Sequence, residues 1–243
     1  MRFTLSSSVL NSQLQTLSRV INSKNSLPIL DCILFEVGDG KLTLTASDKE
    51  NVMTVVLALD SCEGSGAFAL PKNMIIDAVK ELPEQPLTFD VNEATLALTI
   101  TYQNGMYQFV AQGADEFPKA KELGDNATSL TISVQILSEN ITRSLFATAQ
   151  DELRPVMNGI YFDLTPDCLA IVASDGHKLV RNRNFSIKSD EPSAFVLPSK
   201  PAALLKLMMG KAAGDAQISY DSNNARFVIA DSTLTCRLIE GRY

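Results

Sequence analysis

The chain has 243 residues, a formal net charge of −7 and 45% hydrophobic residues, values that fit one large or two ordinary globular domains. No apolar run approaches the roughly 18 residues that span a bilayer, and residues 1–14 lack the apolar segment of a signal peptide, so we expect a cytoplasmic protein. The net acidity argues against a protein that simply coats nucleic acid.

The first half of the chain reads as a strand, a helix, paired strands, a second helix and a final set of strands. A strand near residues 2–5 leads into an amphipathic helix, which we place with its flanking turns at 6–24. The runs ILFEV and KLTLTAS flank a GDG turn and predict a strand–turn–strand unit. After FALP we expect a second helix at 72–82, followed by the strands LTFDV, ATLALTITY and MYQFVAQ.

The second half repeats this order of elements. A strand at 129–133 leads into a helix that we place with its turns at 134–150, and GIYFDL and CLAIVAS predict the next strand pair. After FVLP we expect a helix at 199–212 and then the strands AQISYD, ARFVIAD and LTCRLIE. Two helices with mostly antiparallel strands in each half predict an α+β fold made of two repeated domains.

An internal repeat relates the two halves. Shifting the sequence against itself by 127 positions aligns them without a gap over residues 28–71. Pro28 then meets Pro155, and the tripeptide Ala-Ser-Asp at 46–48 recurs at 173–175. One register held over so long a stretch indicates two copies of a single module.

The repeat also sets the expected domain boundaries. We assign the first domain to residues 1–120 and the second to residues 129–243. The polar stretch at 121–128 is expected to be the linker between them.

The inventory of reactive side chains is small. His177 is the only histidine, so a zinc site or a Ser-His-Asp relay would contain one imidazole at most. The four cysteines show no CxxC spacing, and Cys32 and Cys168 lie in apolar runs typical of reduced core thiols. We therefore expect no enzymatic activity, no metal and no cofactor. The alternative from the enzyme class is an α+β enzyme with two converging carboxylates in a deep polar pocket.

Basic residues are concentrated in the predicted helical stretches. With their flanking turns these stretches hold eight basic and three acidic residues, a net +5, which leaves −12 for the rest of the chain. If the helices share one face, that face attracts phosphates and the strands repel them. No aromatic residues interleave the lysines, and no helix shows a base-reading pattern, so contact with DNA should be weak and independent of sequence. The eight basic residues are Arg19, Lys24, Lys72, Lys80, Arg143, Lys200, Lys206 and Lys211.

Six stretches spread in order over the whole chain carry a resemblance to a known family. They are SKNSLPIL at 23–30, LTLTASD at 42–48, MNGIYF at 157–162, ASDGHKL at 173–179, FVLPSK at 195–200 and RLIEGRY at 237–243. Together they resemble the bacterial DNA sliding clamp, the beta subunit of DNA polymerase III. The resemblance implies domains that each turn two helices inward and their sheets outward, with three domains per subunit and two subunits in a ring around duplex DNA. It also implies a protein that tethers the polymerase and catalyses nothing itself.

The same resemblance implies two sets of functional residues. Contacts with double-stranded DNA are implied for Lys24, Lys72, Asn73, Gln150, Arg154 and Lys200. A pocket for short peptides of the polymerase III catalytic subunit, the clamp loader and other clients is implied at Met157, Ser174, Gly176, His177, Lys178, Leu179 and Arg242. The chain departs from the family at Pro155 and Val156, where well-studied members have two tyrosines.

Three further expectations concern the segment at 174–178, the number of subunits in the assembly and the missing third domain. SDGHK at 174–178 could equally be only a tight turn, as its repeat partner SDKEN at 47–51 is expected to be. The two-copy layout also permits a two-domain clamp that trimerises, like the proliferating-cell nuclear antigen family. Because the chain stops at Tyr243, before the family's third domain, we expect a fragment that cannot close the usual ring and holds only part of the client pocket.

Overall fold

The computed structural model describes residues 1–151, 153–210, 212–241 and 243. These residues form two compact units, Met1–Lys119 and Ala120–Tyr243. Among the described residues, no helix is both long and apolar enough to cross a bilayer. Each unit combines two α-helices with antiparallel strands, so the α+β class expected from the sequence is confirmed.

The first unit contains two sets of antiparallel strands. Its elements are β1 (Arg2–Ser6), α1 (Ser7–Leu17), β2 (Cys32–Gly38), β3 (Lys41–Ser47), β4 (Asn51–Ala58), β5 (Ser61–Glu63), β6 (Gly66–Pro71), α2 (Lys72–Val79), β7 (Pro86–Val91), β8 (Ala97–Tyr102) and β9 (Gly105–Val110). A short 3-10 helix, Pro28–Asp31, comes directly before β2. One set of strands runs in the order β5-β1-β7-β8-β9, and the other runs β4-β3-β2-β6.

The second unit repeats these neighbour relations. Its elements are β10 (Thr128–Ser133), α3 (Val134–Leu145), β11 (Gly159–Leu164), β12 (Leu169–Ser174), β13 (Leu179–Asn184), β14 (Ser193–Pro198), α4 (Ser199–Met209), β15 (Asp215–Tyr220), β16 (Asn224–Ile229) and β17 (Ser232–Arg237). A second 3-10 helix, Pro155–Asn158, comes directly before β11. The strand orders are β10-β15-β16-β17 and β13-β12-β11-β14, and within the described residues only β5 lacks a counterpart.

Side-chain hydrogen bonds fix where the first helix of each unit begins or ends. The Ser6 hydroxyl accepts from the Val9 N–H at 3.1 Å, which satisfies an amide that has no partner inside α1. The two helices stop at Leu17 and Leu145, before the polar turns that our predicted stretches included. After α3, the Thr148 hydroxyl donates to the Leu145 carbonyl at 2.8 Å and so satisfies an acceptor at the helix end.

A pair of stacked phenylalanines occupies corresponding places in the two cores. Phe35 on β2 and Phe68 on β6 are cross-strand partners, and their ring centroids are 5.1 Å apart. Phe162 on β11 and Phe195 on β14 are partners in the same way, at 4.7 Å. All four rings are buried. Because stacked aromatic pairs add to the energy of burial, each pair favours the register in which its two strands are observed.

Candidate functional site

In each unit the two helices lie side by side, α1 against α2 and α3 against α4. The faces that these helices bury against the rest of the unit are apolar, as the buried Leu10, Leu14 and Leu17 of α1 illustrate. In the described chain these helices carry four basic and two acidic residues, because Arg19 and Lys24, among others, lie in the turns beyond them. The +5 of the predicted helical stretches is therefore divided between helices and turns.

Part of the helical charge is neutralised locally. Lys80 lies just beyond α2, and its Nζ is 2.9 Å from Oδ1 of Asp77; the hydrogen bond to that carboxylate raises the pKa of Lys80. Within α3, Nη2 of Arg143 is 3.2 Å from Oε2 of Glu139. Both pairs are exposed and of the i,i+3 or i,i+4 type, so they add little stability but lower the positive charge offered to a ligand.

Four of the predicted DNA-contacting residues lie at helix starts or in the turn after α1. Lys24 is exposed in that turn. Lys72 is the first residue of α2, and its Nζ donates to the Ile21 carbonyl at 3.4 Å, which ties the start of α2 to the turn. Asn73 is exposed beside it, and Lys200 is half-buried in the first turn of α4. The structure thus places these four on or next to the helix layer of their own unit.

The other two predicted DNA-contacting residues have different surroundings. Gln150 and Arg154 line an open cavity of about 420 Å³ together with Asp175 and His177. Nε of Arg154 donates to Oδ2 of Asp151 at 2.8 Å, and this hydrogen bond is the main cause that lowers the pKa of Asp151. The loop after α3 and the turn that carries the predicted client-binding residues thus line the same cavity.

The turn between β12 and β13 is held by a network centred on one carboxylate. Oδ1 of Asp175 accepts from the amides of His177 at 2.9 Å and Lys178 at 2.7 Å, and Oδ2 lies 3.0 Å from Nζ of Lys178. The Lys178 side chain, followed by the two amides, holds the pKa of Asp175 far below its ordinary value. The Ser174 hydroxyl donates to the Lys178 carbonyl at 2.7 Å, and Gly176 supplies the left-handed backbone with a φ of 88°.

Apolar side chains lie on the elements that adjoin this turn. Leu179, the first residue of β13, is 68% exposed. Met157 is half-buried in the 3-10 helix before β11. Phe146 is exposed just beyond α3, where Nζ of Lys178 lies 5.7 Å from its ring centroid and donates to its carbonyl at 3.2 Å. Exposed apolar side chains beside an ordered turn suit the binding of a short apolar peptide segment.

Tyr243, which is not among the site residues expected from the sequence, also contacts the turn. Its hydroxyl accepts from the Ser174 N–H and donates to the Ser174 carbonyl at 3.2 Å. Its ring stacks on Tyr161, with centroids 5.5 Å apart, and burial raises the pKa of the Tyr243 hydroxyl. The Tyr243 hydroxyl therefore stabilises the position of the backbone at the end of β12.

Phe146 is likewise absent from the expected site residues, and the internal repeat contains a signal that would have identified both aromatic residues. At an offset of 127, Phe146 stands where the first half has Arg19, and Tyr243 stands where it has Glu116. A change from a charged to an aromatic residue at equivalent positions indicates that the second copy contacts something the first copy does not. Two residues named from the sequence, Lys211 and Arg242, lie outside the described residues.

Among the residues that the structure describes, no three His, Cys, Asp or Glu side chains are grouped so that they could hold a metal ion. The four cysteines are free, and burial raises the pKa of the Cys32 thiol to about 11 and that of Cys236 to about 12. These two thiols remain protonated at neutral pH and act as core side chains.

Comparison with known proteins accounts for both halves of the chain. Residues 1–121 match the N-terminal domain of the DNA polymerase III beta subunit, and residues 131–243 match its central domain. The chain belongs to the DNA polymerase III beta subunit family. The structure of the chain also superimposes on the crystal structure of a Pseudomonas aeruginosa sliding clamp bound to griselimycin with a TM-score of 0.92, at 25% identity, covering 100% of the chain and 66% of that clamp.

Curated beta sliding clamps show the same relationship at the level of sequence. The chain is 32% identical to the beta sliding clamp of Synechococcus elongatus over 241 residues, which cover 96% of the chain and 63% of the relative. It is 25% identical to that of Pseudomonas aeruginosa over 244 residues, which cover 100% of the chain and 66% of the relative. The chain thus spans 63% to 66% of the length of these relatives.

Proposed function

We propose that this chain forms part of a processivity factor that encircles duplex DNA and tethers a DNA polymerase to it, with no catalysis of its own. The observation that carries the proposal is the two-helix layer present in each unit of a chain whose two halves both match the beta subunit family. We take residues 1–120 and 129–243 as two copies of one module joined by a linker at 121–128. The expected site of action is the cytoplasm.

The sparse charge of the helices suits sliding. A ring holds DNA by topology, so its inner wall needs only diffuse positive charge, and each phosphate that it neutralises would steepen the salt dependence of binding by about 0.9 log units. The exposed Ser8, Ser12 and Gln15 of α1 offer neutral hydrogen-bonding groups, while Lys24 and Lys200 supply positive charge near the helices. Such a surface supports weak contacts with the DNA backbone that move along it easily.

The exposed apolar residues around the second-unit turn support a client-binding site. Leu179, Met157 and Phe146 lie on three different elements next to a turn whose backbone is held by Asp175 and Tyr243. A rigid turn with apolar side chains around it binds a short peptide with little loss of conformational entropy. The clients that we propose are the polymerase III catalytic subunit, the clamp loader and other proteins with clamp-binding peptides.

We propose that subunits assemble into a homodimeric ring, and the exposed edge of strand β9 is the feature that supports this proposal. In the described part of the chain β9 is the last strand of its sheet, and edge strands can pair with a strand of another chain. Val110 on β9 is 70% exposed, and Met106 is exposed as well. In a version of the chain extended by the third domain of the family, we expect Val110→Lys to weaken the assembly in sedimentation velocity; an unchanged assembly would place the subunit contact elsewhere.

The proposed DNA contact is tested by paired charge reversals. Replacing Lys24 and Lys200 together by Glu should weaken binding to a labelled duplex at low salt and reduce the slope of log affinity against log salt by about 1.8. Fluorescence anisotropy measures both quantities. The matched control replaces the exposed Lys41 and Lys188 by Glu, which changes the net charge equally on a strand and a loop. Equal losses in both variants would mean that overall charge, and not the helix layer, governs binding.

Encirclement is tested by DNA topology. A version of the chain extended by the third domain of the family, loaded by a clamp loader, should remain on a nicked circular plasmid and slide off the same plasmid after it is linearised. Gel filtration of the loaded plasmids measures retention. Equal retention on both forms would contradict encirclement.

The client site is tested by placing a charge at its most exposed apolar residue. Leu179→Asp should weaken binding of a peptide from the polymerase III catalytic subunit at least about tenfold, the effect of losing the burial of one leucine side chain. The matched control is Phe185→Asp, which changes another exposed apolar residue just beyond the end of β13. Equal weakening by both variants would show that the peptide has no preference for the turn.

A further inference from the structure

The first unit contains a groove that the proposed DNA and client sites do not use. Its volume is about 600 Å³. Leu27, Pro28 and Ile29 form one side, and the segment that carries Asp115 and Glu116 forms the other. Most of its lining is apolar, and Leu27 is 45% exposed. An open groove with an apolar wall and two carboxylates on its rim differs from the polar helix layer of the same unit.

Both sides of the groove rest on ordered structure. Pro28 begins the 3-10 helix, and the buried Leu30 and Phe117 beneath belong to one apolar cluster. On the other side, the backbones of Ala69 and Gln112 exchange two hydrogen bonds, each 2.9 Å long, which fix the start of the acidic segment against β6. A groove between two fixed walls needs little rearrangement to bind a ligand.

The second unit contains the same framework at an offset of 127 residues. Its 3-10 helix begins at Pro155, and Val196 and Ile239 form the isolated bridge that corresponds to Ala69 and Gln112. Tyr243, which stands where the first unit has Glu116, is one of the residues that contact the second-unit turn. The groove of the first unit is thus the structural equivalent of the region next to the proposed client site.

The charges that line the two regions differ. Where the first unit has Leu27, the second unit has Arg154, which pairs with Asp151. The described lining of the first groove contains carboxylates and no basic residue. In the first unit neither Asp115 nor Glu116 forms an ion pair with another described residue. The rim of the first groove therefore attracts cations, so its ligand differs from that of the second unit.

We infer that this groove binds a short extended peptide segment of another protein, one whose apolar side chain packs on Leu27 and Pro28 while flanking lysine or arginine residues meet Asp115 and Glu116. The charge complementarity of the rim selects this occupant over an acidic peptide or a nucleic acid. The inference does not depend on the tethering function, since it requires only the groove and its charges.

The experiment uses the full chain and two labelled synthetic peptides that differ only in charge. One has a pair of leucines flanked by lysines, and the other has glutamates in place of the lysines. The lysine peptide should bind with a fluorescence anisotropy change, and replacing Asp115 and Glu116 together by Lys should weaken it about tenfold, since two exposed attractions become repulsions. The control is Glu36→Lys, an exposed residue of β2 that does not line the groove, which should leave the affinity unchanged.

A second variant tests the apolar wall without changing the charge. Leu27→Ser should weaken binding of the lysine peptide severalfold and change thermal unfolding little, because 45% of Leu27 is already exposed to solvent. Equal binding of the two peptides, or full affinity in both the charge and the Leu27 variants, would overturn the inference. Leu179→Asp separates it from the client site, since that variant should leave binding of the lysine peptide intact.

Discussion

The two units contain the same turn with different surroundings. Between β3 and β4, Oδ1 of Asp48 accepts from the amides of Glu50 at 3.0 Å and Asn51 at 2.7 Å. Between β12 and β13, Asp175 binds two amides in the same way at 2.9 Å and 2.7 Å. The residue after the aspartate is left-handed in both turns, with φ of 81° at Lys49 and 88° at Gly176. The suggestion that SDGHK is a tight turn like SDKEN is therefore correct for the backbone.

The difference begins at the strand that follows each turn. Val52 is only 7% exposed, whereas its counterpart Leu179 is 68% exposed. β13 is the outermost strand of its set in the described chain, and its side chains alternate between exposed and half-buried. The turn therefore belongs to the set of strands and turns that both units share. The capacity to bind a client depends instead on which side chains this shared framework leaves exposed.

The largest expected effect tests whether the two frameworks are equivalent. Phe35→Ala and Phe162→Ala each remove one ring of the corresponding stacked pairs, so each should lower the free energy of unfolding by about 3–5 kcal/mol. Urea denaturation measures the loss, and hydrogen exchange shows whether it is confined to the unit that carries the change. Phe185→Ala, at an exposed position, is the control and should cost less than about 0.5 kcal/mol. A large cost for one ring and a small cost for its counterpart would break the equivalence.

The next prediction separates framework from binding at one equivalent position. Val52→Asp places a carboxylate among buried side chains and should lower the free energy of unfolding by about 3 kcal/mol. Leu179→Asp should change it by less than about 0.5 kcal/mol, because the side chain already faces solvent. Thermal unfolding of both variants checks the contrast. A large loss of stability in Leu179→Asp would make this residue part of the core and remove it from the client site.

The framework could be predicted because its signals are local or repeated. GDG at 38–40 predicted the turn between β2 and β3, and Asp39 and Gly40 there adopt the positive φ that such a turn requires. Phe35 and Phe162 were aligned by the repeat alone, and the structure gives them corresponding cross-strand partners. The alternation of apolar and polar residues and the turn residues specify which strands pair and in which register. They do so regardless of what packs against the sheet.

The candidate site could be predicted only in part because it depends on contacts between distant residues. Val52 and Leu179 are both apolar and follow similar turns, so hydrophobic pattern alone does not distinguish the buried one from the exposed one. Tyr243 reaches Ser174 across 69 residues of sequence. The side chain of Lys72 is partly engaged by the Ile21 carbonyl, which no charge count could show.

A smaller effect is expected at the left-handed residue of each turn. Gly176→Ala should lower the free energy of unfolding by about 1–2 kcal/mol, because a β-carbon is strained at this φ and would lie 2.9 Å from Nη1 of Arg154. Lys49→Gly should raise the free energy of unfolding by about 0.5 kcal/mol. Glycine removes the strain of the left-handed backbone at residue 49, and this gain exceeds the cost of the extra conformational entropy that glycine gives the unfolded chain. Thermal unfolding measures both changes, and Lys49→Ala is a control that should be neutral. Equal effects of the same sign would mean that the two turns are not held alike.

The last prediction concerns the pH dependence of the second-unit turn. The pKa of Asp175 in the folded chain lies far below its ordinary value of 3.8, so the stability that its carboxylate contributes is fully present above that value. It is lost as the pH falls below 3.8 toward the folded-state pKa, when protonation weakens the hydrogen bonds from His177 and Lys178. The amide NMR signals of these two residues should therefore stay constant down to pH values below 3.8 and then shift together.

Asp175→Asn is the matched variant for this prediction. The asparagine oxygen can still accept from the two amides, but it cannot titrate or pair with the ammonium group of Lys178. Its amide signals should show no transition in the acid range, and affinity for a client peptide should fall only slightly if the turn keeps its shape. A transition at or above 3.8 in the unmodified chain would show that the carboxylate is not held as the structure has it. In that case the rigidity of the turn would need another source, of which the contact between Tyr243 and Ser174 is the nearest.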